Sequence, residues 1–195
     1  IVRYGVDIIH ARSRAPAWSS YFAARRTGCI YMSTYHGTVH KAPASKVFYN
    51  SVLTRGAAVI ANSSYTGGLI AEVHGLAAEK IKVVPRGCDV DLLARDNVDA
   101  ALVIAKRAQW GVGADDFVVI CPARLTETKG QDILIQAFAG LAEKAPKAMS
   151  IKLVFVGSAQ GREEYFARLT DLVARHDLQD QVVFAGLEHE MAIAY

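Results

Sequence analysis

Short apolar runs alternate along this chain with longer segments whose apolar residues recur every three or four positions. The runs at 6–10, 30–34, 57–61, 81–85, 117–121, 151–156 and 182–184 read as buried strands. Between them, residues 17–26, 65–74, 98–110, 130–144 and 162–176 carry helical periodicity. A further helix is expected from a Ser45 cap to about residue 55, with Val47, Phe48, Val52 and Leu53 on one face. Gly28, Gly75, Gly111 and Gly113 stand where helices should stop, and Asn62-Ser63-Ser64 where one should start. Such alternation predicts an α/β protein built on parallel sheets with helices on both faces. The pattern restarts after residue 116. It predicts two doubly wound domains, both truncated: 1–97, an interdomain helix and linker at 98–116, and 117–195. Ligands of such sheets bind beyond the carboxyl ends of the strands. The loops at Arg12, His36, Ser63, Arg124, Gly157 and Leu187 all fall there.

The strand 118–122 leads into a loop carrying Arg124 and Lys129, and then into a helix after Gly130. Ile133, Leu134, Ala137, Phe138 and Leu141 are expected to form that helix's apolar face. The first N–H groups of a helix are unpaired and its dipole is positive there, so the terminus attracts anions. Two cations beside it make a phosphate or diphosphate seat. The alternative is a βα loop with two solvated basic residues. A P-loop, a complete GxGxxG and a GxSxG elbow are all missing, and Gly157-Ser158-Ala159-Gln160-Gly161 lacks one glycine of the dinucleotide fingerprint.

Composition narrows the class. Of 195 residues, 52% are hydrophobic and 21% charged, which suits a globular core. The net charge of +3 is too small to argue for a nucleic-acid partner. No run of roughly 18 apolar residues exists, and the first ten residues do not resemble a signal peptide. Residue 1 is Ile, so a piece of a longer chain or a mature product is expected. Cys29, Cys88 and Cys121 form no CxxC and are expected to be buried reduced thiols in a cytoplasmic protein. The histidines carry no HExxH signature, and no metal site is expected.

Several strand-end segments together resemble the family 4 retaining glycosyltransferases of the GT-B fold, which pairs two Rossmann-like domains. Asp7-Ile8-Ile9-His10-Ala11-Arg12 is similar to the family's D-x-[IV]-H-x-[RH] strand, and Thr34-Tyr35-His36-Gly37 to its T-x-H-G turn. Residues 59–66 are similar to its VIANS-x-x-T segment. Val83-Val84-Pro85-Arg86-Gly87-Cys88-Asp89 resembles V-x-P-N-G-[VI]-D, with Arg86 where Asn is commoner and Cys88 where an aliphatic is commoner. Ala123-Arg124-Leu125, followed by Lys129-Gly130, is similar to GR-L-x-x-x-KG with Ala123 in place of Gly. Phe155-Val156-Gly157 and Val183-Phe184 with Gly186 match the next two strands. Each motif is weak alone; together, in order, they cover essentially the whole chain.

The resemblance implies a sugar-nucleotide donor held by the C-terminal domain, with no metal cofactor. Arg124, Lys129 and Gly130 would bind its diphosphate, neutralising the leaving group as the glycosidic bond breaks. Gly157, Leu187, Glu188 and Met191 would lie along the nucleotide, and His36 would act near the reaction centre. Arg12 and Arg14 would line the acceptor side, or be merely solvated; Ser63 and Thr66 would cap a helix. Gly37 would allow a turn or a close ligand approach. The implied reaction moves a sugar to an acceptor hydroxyl, sugar or lipid-linked, in cell-envelope polysaccharide or glycolipid synthesis. The mildly basic helix around residues 46–55 could touch the inner face of a membrane, although a packed core helix fits it better. Two rival readings remain: a GT-B module that binds without turnover, and a sugar-nucleotide 2-epimerase. A glycine-rich acceptor loop is expected upstream of Ile1 and an E-x7-E acidic segment after Tyr195. The 195 residues alone are therefore not expected to turn over.

Overall fold

The computed structural model describes residues 1–36, 43–146 and 149–195. Gly37, for which a turn or ligand approach was expected, lies outside the described residues. The chain forms two compact units, Ile1–Cys88 and Asp89–Tyr195.

The first unit is a parallel sheet in the order β1 (Ile8–Ala11), β2 (Ile30–Tyr35), β3 (Ala58–Ala61) and β4 (Ile81–Val83). Helices α1 (Arg14–Thr27), α2 (Ala44–Asn50) and α3 (Ser64–His74) connect the strands. Every second strand residue, including Ala11, Tyr31, Tyr35, Val59 and Ala61, packs with Ala17, Ala24, Val52, Leu53 and Ile70. This is the two-residue period of a strand meeting apolar helix faces. Tyr31 Oη donates to Val52 O at 3.2 Å and Ser33 Oγ donates to Leu53 O, pinning the 3-10 turn Ser51–Thr54 to the sheet. Burial pushes the Tyr31 hydroxyl up to about 12.

The expected helix at 45–55 is thus two pieces. Ser45 does not cap it; Pro43 precedes the first turn instead. Ser51 and Thr54 hydroxyls bond back to Phe48 O and Ser51 O, a competition that favours a tighter turn over continued α-helix. Val52 and Leu53 are buried as expected, but Phe48 is 62% exposed.

The second unit begins with α4 (Val90–Leu93) and α5 (Ala100–Gln109). Its sheet runs β5 (Phe117–Pro122), β6 (Ile151–Val156), β7 (Val182–Gly186), all parallel. Connecting helices are α6 (Gln131–Lys144) and α7 (Glu163–Arg175), and α8 (Met191–Ala194) follows the last strand. The sheet is covered on both faces. Val119, Cys121, Leu153, Phe155 and Phe184 meet α6 and α7, while Val118, Ile120, Val154, Val156 and Val183 meet Trp110, Val112 and Met191. Strands buried on both sides read as continuous apolar runs, which is why they stood out in the sequence. Strand order is sequential in both sheets, so no reversal point occurs among the described residues.

Three expectations change. Residues 89–97, expected in the first domain, and 98–116, expected as an interdomain helix and linker, both fall in the second unit, because α5 packs on α8 and Trp110 and Val112 cover the sheet. The buried face of α6 is Gln131, Ile135, Phe138 and Ala139, leaving Ile133 70% exposed, with Ala137 and Leu141 exposed as well. Cys88 is exposed, in the turn beyond β4, whereas Cys29 and Cys121 are half-buried.

Ser63 does cap α3: its Oγ accepts from Thr66 N at 3.1 Å, and donates to Thr66 Oγ1. Replacing Ser63 with Ala should lower unfolding stability by about 1 kcal/mol, and Ser63→Asp should recover most of it. Chemical denaturation checks both, and no loss in the alanine variant would refute the cap's contribution.

Candidate functional site

In the first unit, Arg12 follows β1, His36 follows β2 and Arg86 lies just beyond β4. Together with Gly87 they line a cavity of about 580 Å³. Arg86 Nη2 lies 2.8 Å from His36 Nδ1. A guanidinium can only donate, so Nδ1 is the acceptor and the imidazole proton sits on Nε2. Burial, and then the charges of Arg86, Arg12 and His10, hold the His36 pKa below its ordinary value, so the ring is mainly neutral at pH 7. His10 Nε2 pairs with Thr34 Oγ1 at 2.7 Å at the same edge. Arg14, expected beside Arg12, starts α1 and directs its guanidinium to Asn50 Oδ1 at 3.4 Å. Arg86 entered the sequence reading only as a departure from a family motif. The signal it offered was position: a cation just after a strand, as Arg12 is just after β1.

In the second unit, the loop after β5 is held by its backbone. Gln131, 0% exposed, donates from Nε2 to Arg124 O at 2.9 Å. Tyr165 Oη donates to Gln131 Oε1 at 3.2 Å, and Leu125 N donates to Ser158 O at 3.1 Å. Leu125 itself is core. The Arg124 carbonyl is therefore fixed while its side chain is exposed. Among the described residues, neither Arg124 nor Lys129 has an ion-pair partner.

Arg124 lines a cavity of about 700 Å³ with Thr126, Thr128, Arg162, Tyr165 and the Arg168–Glu127 pair. Lys129 and Gly130 do not figure among its described lining residues. Lys129 closes the 3-10 turn Glu127–Lys129, and its charge opposes the burial that raises the Cys121 thiol. Gly130 has φ +68° and donates its N–H to Glu127 O at 3.1 Å. It is a joint between the turn and α6, and the open N–H groups belong to the helix residues after it.

Gly157 also has a conformational task. Its φ is +150°, and a Cβ there would lie 2.1 Å from Ala123 O. Its N–H donates to Gly186 O at 2.7 Å. The missing side chain lets the β6 end sit against the loop that carries Arg124.

Beyond β7, Leu187 is 62% exposed, and Met191 packs against the sheet. Glu188 Oε2 pairs with Lys106 Nζ at 2.5 Å, and Oε1 accepts from His189 N at 2.8 Å and Glu190 N at 2.9 Å. These contacts, Lys106 foremost, hold its carboxyl down at about 2. Glu188 is thus a lock between α5 and the loop before α8, with both oxygens engaged, and Leu187 is the side chain left open.

Residues 1–92 match the family model described as Glycosyltransferase Family 4, and residues 103–194 match Glycosyl transferases group 1. A D-inositol 3-phosphate glycosyltransferase of Xylanimonas cellulosilytica is 24% identical over 190 residues, 91% of this chain and 44% of the relative. The crystal structure of a glycosyltransferase from Rickettsia africae superposes with a TM-score of 0.85 at 30% identity, covering 100% of this chain and 50% of that one. Anabaena HepE, solved in complex with UDP-glucose, superposes at 0.83 with 25% identity, covering 96% of this chain and 50% of that one. The chain therefore spans about half the length of the proteins it matches.

The Glu188 lock predicts a pH signature. Its folded pKa is depressed, so its stabilisation is present above the ordinary value of 4.5 and is lost as pH falls through about 2. Glu188→Gln should cost about 1–2 kcal/mol near neutral pH, and the gap to the unmodified chain should close between pH 4.5 and 2. Denaturant melts across that range measure it; a pH-independent gap would refute the lock.

Proposed function

Since the chain belongs to the family 4, group 1 glycosyltransferases of the GT-B fold, we propose that this protein transfers a sugar from a nucleotide-sugar donor to an acceptor hydroxyl, with retention at the anomeric carbon. The observation that carries the reading is Arg124, whose backbone is clamped by Gln131 and whose guanidinium has no ion-pair partner among the described residues. Arg124 and Lys129 stabilise the diphosphate as it leaves and takes up charge. Two cations supply this stabilisation without a metal ion. Leu187 offers an apolar contact to the nucleobase, and His36 offers its Nε2–H to a sugar hydroxyl. UDP and UDP-glucose, bound in the HepE structures, are the first donors to test.

We also infer a peripheral contact with an anionic membrane surface, as a lipid-linked acceptor in cell-envelope synthesis requires. Trp18 stacks on Phe22 and meets Phe48, and the Arg55 guanidinium lies over Trp18, Tyr21 and Phe48. Phe22, Phe48 and Tyr49 are exposed, with Arg25, Arg26 and Lys46 on the same helices. Exposed aromatics ringed by cations suit a lipid interface. Among the described residues no helix is long and apolar enough to cross a membrane. The proposed site of action is the cytoplasmic face, where nucleotide sugars are supplied.

Calorimetry with UDP, GDP, ADP and their sugars tests the donor reading. Arg124→Ala and Lys129→Ala should each weaken the best ligand about 10- to 100-fold. No binding by any nucleotide, or unchanged binding in both variants, would sink it. Binding without turnover in a full-length preparation would favour a binding module instead. Vesicles containing anionic lipid should co-sediment the protein, and Phe48→Ser with Arg55→Glu should release it. Equal sedimentation of the variant would remove the membrane contact.

A further inference from the structure

Charge is unevenly spread along the chain. Residues 1–88 hold eleven Lys and Arg but only three acids, Asp7, Glu72 and Glu79, whereas residues 89–195 hold eleven Lys and Arg and sixteen acids. The fold sorts the first unit further. Asp7 and Glu79 precede β1 and β4, at the amino ends of the strands, and Glu72 lies in the last turns of α3. Arg12, His36 and Arg86 all lie at the carboxyl ends, where α1 and α3 also point their positive N-termini.

The cavity between these three side chains has no carboxylate among its described lining residues. Arg86 instead donates to an imidazole nitrogen at 2.8 Å. Like charges gathered around a cavity repel one another, and a bound anion relieves the repulsion. Two guanidiniums also provide the forked donors that match a phosphate's oxygens.

We propose that Arg12, His36 and Arg86 form a seat for a phosphate-type dianion carried by the acceptor. The seat rests on the transfer reaction only for the identity of its ligand as acceptor. On binding, Arg86 turns from His36 Nδ1 to the phosphate, and the freed nitrogen takes up a proton. The groups that face His36 among the described residues are Arg12 and His10 from the β1 side and Arg86 from the β4 side, all basic. The anion therefore reverses the sign of the local field and raises the His36 pKa. Arg86, standing where Asn is commoner in the family motif, is then a specificity determinant of this chain.

The test uses an Arg124→Ala background, which silences the diphosphate seat. Calorimetry is run with inorganic phosphate, with glucose 6-phosphate, and with vesicles containing an anionic phospholipid. His36 is followed by NMR. The expected result is phosphomonoester binding that falls at least tenfold in Arg86→Asn and in Arg12→Gln, with the His36 titration moving to higher pH when phosphate is added. Both substitutions are at exposed positions, and an unchanged thermal midpoint confirms folding. If only vesicles bind and Arg86→Asn abolishes that binding, the seat stands and its ligand is a lipid headgroup. Absence of binding to phosphate, glucose 6-phosphate and vesicles alike, or binding that is equal in Arg86→Asn, overturns the seat. In the chain with Arg124 intact, UDP binding should not respond to Arg86→Asn. UDP binding lost in Arg86→Asn would overturn the seat's assignment to the acceptor, whereas no UDP binding in the unmodified chain, with phosphomonoester binding retained, would sink the donor reading and leave the seat in place.

Discussion

Parallel strands cannot be joined by a tight hairpin; each connection must cross a face of the sheet and return. That constraint governs both units of this chain. It places every strand's carboxyl end on one edge, so residues distant in sequence become neighbours without any special arrangement. Arg12, His36 and Arg86 meet this way in the first unit, and the loops beginning at Ala123, Gly157 and Leu187 line up in the second. The crossover helices point their N-termini at the same edge, so each unit is predisposed to meet anions there.

The two edges use that predisposition differently. In the first unit the cations crowd an open cavity, and one guanidinium settles for a histidine nitrogen. In the second, acids are interleaved with cations: Glu127 engages Arg168 and Glu188 engages Lys106. Arg124 and Lys129 are outside those pairs. Neutralisation of Arg168 and Lys106 leaves Arg124, Lys129 and Arg162 outside the ion pairs among the described residues, which is a more specific arrangement than general positive charge.

Much of this was legible in the sequence because buried parallel strands are written as unbroken apolar runs and helix stops as glycines. The Ser63 cap and the strand-end positions of Arg12, His36 and Arg124 followed directly. Other features depended on three-dimensional context. Gln131 reads as a surface polar residue, yet it is buried because a backbone carbonyl and a tyrosine hydroxyl satisfy both ends of its amide. Its burial fixes the face of α6 and leaves Ile133 outside, opposite to the choice that apolarity suggests. Glu188 looked like a ligand contact, but Lys106, 82 positions earlier, occupies it. Gly157 looked available to a ligand, but its open space is taken by the Ala123 carbonyl. Net charge concealed the contrast between a basic half and an acidic half, since opposite imbalances nearly cancel.

The clamp on Arg124 consists of an amide, a phenol and a peptide carbonyl. Burial raises the Tyr165 hydroxyl pKa further above neutrality, so none of the three changes charge in ordinary buffers. Added salt has little hold on these three groups, because screening acts on net charges and only weakly on buried dipoles; the Asp132 carboxylate, 3.3 Å from the Tyr165 hydroxyl, is the charged neighbour of the clamp. The backbone that carries the guanidinium is therefore held in one place while the ligand's own charge state and ionic atmosphere vary. Ionic strength then acts on the encounter between cation and anion, not on the architecture that presents the cation.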